Sequence, residues 1–317
     1  MRKQLFALAA AAAAAVPTAA AIAAAPADNG QIAFRRFFDA KHRTGAIFLI
    51  NPDGSGERQI THPPAGFIDS QYGPADFSAD GSRLVFTRSG RGHDALWTVD
   101  TATGAERRLT PAGRDGYDNG VYSADGRRIA FGHVQGPLKH HDLRVTLNLM
   151  AADGTHVRRL VDLNYEADLG RVAWSPDGTL IVYVVARRTG QALFVIAARG
   201  GRPRRISPWH KAEFNTLDWS PDGKRLLIQL TSFDSSFGGD YSTIRPDGSG
   251  RHQLTHFGPK ATTGSARWSP DGASIVFANK GVGGNDDIYT MRADGSGITA
   301  VTHTPSWESA PAWGPAR

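Results

Sequence analysis

The chain has 317 residues, no cysteine, 36 Lys and Arg against 30 Asp and Glu, and a formal net charge of +6. The missing thiols exclude a disulfide framework, a thiolate metal centre, a cysteine nucleophile and a lipidated N-terminal cysteine. With 40% hydrophobic and 21% charged residues the composition is ordinary for a globular chain, which excludes disorder and collagen, and 36 Gly among β-branched runs point to strands.

In chain order the first element is an export signal. Arg2 and Lys3 precede an apolar run from Leu5 to Val16, and Ala25-Pro26-Ala27 offers a small-residue cleavage site. Residues 1–27 are expected to be a signal peptide, leaving a single domain of residues 28–317 in an extracytoplasmic compartment, periplasmic or secreted. Losing Arg2 and Lys3 lowers the charge from +6 to +4. The alternative is a retained membrane anchor, because no charge interrupts Leu5 to Ala25.

Repeats dominate the rest of the chain. A tetrapeptide recurs at Ser78-Ala79-Asp80-Gly81, Ser123-Ala124-Asp125-Gly126, Ser175-Pro176-Asp177-Gly178, Ser220-Pro221-Asp222-Gly223 and Ser269-Pro270-Asp271-Gly272, always after an aromatic residue: Phe77, Tyr122, Trp174, Trp219 or Trp268. Steps of 45 to 52 residues suit four short strands with their turns. The aromatic ends strand A, the Asp-Gly turn leads to strand B, and strand C comes next, as in Leu96 to Val99. A second Asp-Gly turn, such as Asp53-Gly54 or Asp294-Gly295, leads to strand D, which closes on Leu-Thr or a relative of it: Ile60-Thr61, Leu109-Thr110, Ile206-Ser207, Leu254-Thr255, Val301-Thr302. At the N-terminal end Asn29-Gly30 and Ile32-Ala33-Phe34 read as a repeat without its strand A. Pro311-Ala312-Trp313 reads as a strand A without its repeat. The expected fold is all-β, a six-bladed β-propeller of four-stranded blades whose ring is closed by the C-terminal strand joining the N-terminal blade.

The Ser-Pro-Asp-Gly turn after Trp, the Ile-Tyr-x-Met-x-x-Asp-Gly segment at 288–295 and the Leu-Thr ending resemble the TolB-like β-propeller repeat family. The resemblance covers the mature chain, as a stand-alone propeller without the separate N-terminal domain of TolB itself. The same repeat is similar to modules in binding proteins, prolyl-oligopeptidase-like peptidases and oligogalacturonate lyases, so it implies fold more directly than function.

Strand direction puts both Asp-Gly turns on one face and the B–C and D–A loops on the other, where lengths vary at 35–45, 132–144, 231–240 and 279–287. That face is expected to carry cations on one side, Arg35, Arg36, Lys41, Arg43, Arg88, Arg91, Lys139, Arg144, Arg187 and Arg188, and Asp234, Asp240, Asp286 and Asp287 on the other. Strand A beginnings bring Tyr72, Asp115, Tyr117, Asp118, Asp168, Arg171, Glu213, Asn215, Trp307 and Glu308 to the channel mouth as a ligand-binding set. Asp76, Asp218 and Arg267, one residue before their blade aromatics, read as structural hydrogen-bonders between blades. His62, His256 and His303 are repeat-equivalent and too far apart for one metal ion. No metal or other cofactor is expected, His140 and His141 being the sole metal candidates.

No nucleophile elbow, zinc helix or phosphate loop is present. The sequence therefore reads as an exported, non-catalytic, monomeric propeller that binds a protein or anionic cell-envelope ligand through its loop face. It has no nucleic-acid partner and no stable membrane insertion once the signal is cleaved. The alternative from another class is a metal-assisted polysaccharide lyase, oligogalacturonate-lyase-like, or another enzyme using channel-mouth residues.

Overall fold

The computed structural model describes residues 27–70, 73–136, 143–163, 167–233, 239–258, 263–280 and 285–317. The proposed signal residues 1–26, together with Tyr72, Lys139, His140, His141 and Asp234, lie outside the described residues.

The first sheet holds β1 (Asn29–Phe37), β2 (Gly45–Ile50), β3 (Arg58–Gln59), β4 (Phe67–Asp69), β5 (Asp76–Phe77), β6 (Arg83–Gly90), β7 (His93–Asp100) and β8 (Glu106–Arg108), with the last strand, β25, added at one edge. Four further sheets each hold four consecutive strands. They are β9 (Gly116–Tyr122), β10 (Arg128–Gln135), β11 (Arg144–Ala151) and β12 (Arg158–Asp162); then β13 (Asp168–Trp174), β14 (Leu180–Arg187), β15 (Gly190–Ala197) and β16 (Arg204–Arg205). The next are β17 (Ala212–Trp219), β18 (Leu226–Ser232), β19 (Tyr241–Ile244) and β20 (His252–Gln253), and finally β21 (Thr263–Trp268), β22 (Ser274–Lys280), β23 (Asp286–Arg292) and β24 (Thr299–Ala300). β25 (Glu308–Pro315) pairs antiparallel with β1.

The larger first sheet is two four-stranded units bridged by a strand that the repeat pattern does not reveal. β4 pairs parallel with β2 at Gly45 and Ile68 and antiparallel with β6 from Phe67–Gly90 to Asp69–Arg88. What stitches it there is charge: Asp69, fully buried, takes two hydrogen bonds from Arg88 at 2.6 and 2.9 Å.

Two repeated hydrogen-bond devices explain the sequence motifs. In each Ser-x-Asp-Gly turn the Ser hydroxyl donates to the Asp carboxylate at 2.5–2.7 Å, and the Gly N–H donates back to the Ser carbonyl. The Gly sits at φ 66–73°, where a Cβ would be strained. The hydroxyl that ends strand D accepts a backbone N–H of strand C: Thr61 from Ile47, Thr110 from Leu96, Ser207 from Leu193, Thr255 from Tyr241 and Thr302 from Ile288. The short outer strand is thus locked to its neighbour by a side chain where the ladder itself is brief.

Apolar alternation then joins the sheets. Among the described residues six apolar clusters form, each shared by neighbouring four-stranded units. One of them packs Ile32, Phe34, Phe48 and Trp313 of the N-terminal unit against Val276, Ala278 and Ile288 of the last sheet. Each fully buried aliphatic or Phe side chain contributes about 1.5–3 kcal/mol. The innermost strands lie one against the next, β5 on β9, β9 on β13, β13 on β17, β17 on β21, β21 on β25 and β25 on β5. Polar groups fasten them across the seams. Asp76 accepts the Tyr122 N–H and Asp218 accepts the Trp268 N–H, each at 2.7 Å, and Arg267 donates to the Leu217 carbonyl and to Asp218.

Candidate functional site: the loop face and its central mouth

Antiparallel pairing puts the B–C hairpin ends beside the beginnings of the inner strands. Arg36 of β1 pairs with Glu308 at the start of β25, and Ala186 of β14 pairs with Asp168 at the start of β13. Both kinds of predicted site residue therefore share one face.

The inner strands are not regular there. Each of β9, β13, β17, β21 and β25 carries a register shift against its neighbour, at Asn119-Gly120, Gly170-Arg171, Asn215, Gly264-Ser265 and Ala310-Pro311. A bulge re-aims side chains that alternation would send to one face or the other. Glycine permits it: a Cβ on Gly120, Gly170 or Gly264 would stand 2.9–3.1 Å from a side-chain carbon of Leu96, Val184 or Ala278. Arg171 is consequently turned inward, with Nε donating to the Asn215 carbonyl at 3.2 Å and its Nη1 close to Gly73, whereas the Asn215 amide donates to Thr231 Oγ1 of β18 at 2.8 Å. Burial, together with neighbouring Arg267, lowers the Arg171 guanidinium to about 10.

Asp118 lies beside the bulge of β9. One carboxylate oxygen is buried without a hydrogen-bond partner, close enough to Gly132 that a Cβ there would overlap it. Burial, reinforced by Asp94 and Asp168, pushes this carboxyl up to about 7. Tyr117 stacks on His133 at 4.6 Å, and His133 in turn contacts Asp115 at 2.9 Å. Asp168 and Glu213 are exposed at the strand beginnings.

The predicted cations divide into three groups. Lys41, Arg43, Arg91, Arg187 and Arg188 are exposed on the loop face, Arg187 resting on Trp209. Arg36, Arg88 and Arg144 are consumed by ion pairs: Arg36 with Glu57 and Glu308, Arg88 with Asp69 and Glu106, Arg144 with Asp162. Arg88, expected among the cations that the loop face presents, is instead 5% exposed and lies on Trp97. Arg35 forms the third group: from β1 it reaches across Ser309 into the mouth, and burial, with Arg171 nearby, lowers it to about 9.

Glu308 also departs from expectation. It is fully buried and accepts from Thr302, Thr304 and Arg36, so it clamps the start of β25 rather than facing the mouth. Trp307 meets the ring of His42 at 4.8 Å, His42 stacks on Phe37 at 4.2 Å, and the Arg35 guanidinium lies 4.3 Å from the Phe37 ring centre. Sequence reasoning overlooked His42, Ser70 and Ser309, which no repeat position marks. The signal that the sequence offers for the bulges is Gly120, two residues before Tyr122, and Gly170 and Gly264, each four residues before its strand's Trp.

Where the channel opens on the turn face, a cavity of about 290 Å³ is lined by the blade aromatics with Asp76, Asp218 and Arg267. Burial raises Asp76 to about 6. No group of three or more His, Asp or Glu side chains converges on a common point among the described residues. Nor, among those residues, is any helix long and apolar enough to cross a membrane.

No family model matches the chain. The Tol-Pal system protein TolB of Anaeromyxobacter dehalogenans is 31% identical over 194 residues, 57% of this chain and 42% of that protein. The matched curated relatives are covered over only 32–46% of their own length. Among solved structures, TolB from Acinetobacter baumannii superposes with a TM-score of 0.71 at 15% identity, over 90% of this chain and 67% of that one. An oligogalacturonate lyase from Vibrio parahaemolyticus superposes with a TM-score of 0.55 at 14% identity, covering 85% and 78%, a likeness of fold alone. TolB and TolB-like propeller proteins are thus among the chain's neighbours in sequence and in structure, and the likeness in structure is one of β-propeller fold.

Proposed function

We propose that this protein is an exported six-bladed propeller, closed by β25, that binds a protein or an anionic envelope polymer through its loop face as a monomer outside the cytoplasm. The circular succession of inner strands and the shared apolar cluster between the N-terminal unit and the last sheet support the closed ring. Arg2, Lys3, the apolar run and Ala25-Pro26-Ala27 support export, with Asp28 as the mature N-terminus. The TolB relatives, whose names place them in the Tol-Pal system, support an envelope setting.

The observation that carries the binding reading is the set of exposed cations on one rigid face. Lys41, Arg43, Arg91, Arg187 and Arg188 form no ion pair among the described residues, whereas the buried arginines beside them are all neutralised or hydrogen-bonded. Exposed charge of one sign steers an oppositely charged partner and acts across a Debye length of ~8 Å at physiological ionic strength. Tyr117, Asp118, Asp168, Arg171, Glu213, Asn215 and Trp307 supply the polar and aromatic centre of that face.

The test is capture from an envelope fraction by the mature protein and by a variant with Lys41, Arg43, Arg91, Arg187 and Arg188 all changed to Glu. The variant is expected to melt near the parent, to lose capture at low salt, and to show less salt dependence in what remains. Capture unchanged at low and high salt removes the cationic face as the binding surface. Chelator-sensitive cleavage of a uronate polymer by the parent would favour the lyase reading.

A further inference from the structure

We propose that Arg35 and Ser70 form a carboxylate-anchoring site at the centre of the loop face, which receives one carboxylate group of the partner. This deepens the binding reading above and rests on it.

Arg35 is held by neutral oxygens alone. Its Nε and Nη2 both donate to Ser309 Oγ, at 3.1 and 2.7 Å, and Nη1 donates to the Ser70 carbonyl. A guanidinium carries five N–H groups in a plane. These contacts use three, so one N–H remains on Nη1 and one on Nη2. Two such groups on adjacent terminal nitrogens are the fork that a carboxylate fills with both of its oxygens. No carboxylate lies within ion-pair distance of Arg35 among the described residues, although Arg36, its neighbour in the same strand, pairs with two.

The guanidinium cannot swing away to find a partner. The Phe37 ring lies under it, and His42 and Trp307 extend the stack behind. Nearby Arg171 makes the positive field at this point stronger, and burial already opposes it. An incoming anion relieves both penalties, whereas a neutral ligand relieves neither.

Ser70 supplies the second and independent observation. It is 2% exposed, and its hydroxyl has no hydrogen-bond partner although its own carbonyl is held by Arg35. It also sits at φ 57°, a left-handed conformation that is costly for Ser, and does so where β4 ends. An unsatisfied buried hydroxyl costs free energy that a ligand oxygen would recover. A planar carboxylate leaves no third oxygen unsolvated beside Arg35, which separates it from phosphate.

The full-length mature protein is titrated with sodium acetate at constant ionic strength, following the backbone amide resonances of Ser70 and Ser309. Saturable shifts are expected in the parent. Arg35→Lys keeps a charge but loses the fork and should weaken acetate by roughly tenfold, as for loss of a charge-assisted bidentate pair. Ser70→Gly, which relaxes the backbone while removing the hydroxyl, should weaken it by about threefold, as for loss of one modest hydrogen bond. Shifts that do not saturate, an Arg35→Lys variant that binds as the parent does, or inorganic phosphate binding more tightly than acetate would each overturn the proposal.

Three further probes identify the source of the carboxylate: a tripeptide with a free C-terminus, its amidated form carrying one glutamate, and galacturonate. Whichever binds more tightly than acetate names the source, and binding of none beyond acetate overturns the role as a partner anchor. The five-site Glu variant is titrated alongside. Retained acetate binding there, with envelope capture unaffected, would remove the outer cationic face yet leave the Arg35 site standing.

Discussion

Asp80 and Asp118 are the same side chain on opposite faces of one domain, and they behave oppositely. Hydrogen bonds from the Ser78 hydroxyl and from the Ser82 N–H and hydroxyl hold the Asp80 carboxyl down to about 2. Burial pushes Asp118 up to about 7, and one of its oxygens lacks a partner. Backbone strain divides in the same way. On the turn face positive φ falls on glycines such as Gly81, Gly178 and Gly272, with His156 the exception, while on the loop face it falls on His42, Ser70, Arg91, Asn119 and Ala310 as well as on glycines such as Gly66, Gly92 and Gly190. Buried polar atoms without a partner occur towards both faces, Trp219 Nε1, Trp268 Nε1 and Arg267 Nε beside the turn-face cavity and Asp118 Oδ1 and Ser70 Oγ towards the loop face, so the two differ in their turn chemistry and in which residues carry backbone strain.

The largest effect expected tests what both faces depend on, the seam at β25. Deleting Ser309 to Arg317 removes the pairing partner of β1 and the Trp313 indole, whose Nε1 donates to the Gly30 carbonyl at 3.1 Å. The whole domain should lose its cooperative melt, as a calorimetric scan would show. A truncated chain melting with the parent would break the closed-ring reading and leave the faces as independent parts.

Next comes a contrast within one short stretch of the loop face. Arg88→Met leaves Asp69 and Glu106 without their buried cation and should cost ~3–5 kcal/mol. Arg91→Glu, three residues on and exposed, should fall within ~0.5 kcal/mol. Denaturant midpoints for the two variants check the difference, and equal losses would mean that the fold depends on Arg91 as much as on Arg88.

Asp118 gives a pH signature. Its folded value lies above the ordinary carboxyl value of ~3.9, so the native state holds more protons than the unfolded chain between about pH 4 and 7. Stability on this account falls as pH rises through that window, and the cost is complete above the folded value. Asp118→Asn should therefore be more stable than the parent at pH 8 by ~1–3 kcal/mol and nearly equal to it at pH 4. A difference that does not change with pH would assign the gain to packing.

The smallest effect sharpens the strain contrast. Gly178→Ala, at φ 66° on the turn face, should cost ~1–2 kcal/mol. Asn119→Gly, at φ 50° on the loop face, should cost little or add up to ~1 kcal/mol. Thermal melts of the pair would undo the comparison if both substitutions destabilised equally.

Local chemistry made much of the architecture legible. Ser-x-Asp-Gly closes a turn with bonds confined to its own residues, and the strand D hydroxyl needs only the adjacent strand, so five copies in register announce blades before any packing is known. The interblade roles of Asp76, Asp218 and Arg267 followed from their fixed place before the aromatic, and each makes a bond to a neighbouring inner strand. The charged loop residues were not legible in this way. Arg35, Arg36 and Arg88 look alike in sequence, yet one reaches the central mouth, one is clamped by two glutamates and one is buried on Asp69.

What the sequence alone determined is whatever repeats, because a turn or a ladder is satisfied within a few neighbouring residues. Only the tertiary structure decided which cations stay in solvent, which carboxylates ionise readily, and that β4 bridges two units. Those outcomes depend on partners far away in the chain, such as Glu308 for Arg36 and Ser309 for Arg35, and on bulges such as the one that turns Arg171 inward. Electrostatic energies depend steeply on distance and burial, and neither quantity is written in residue order.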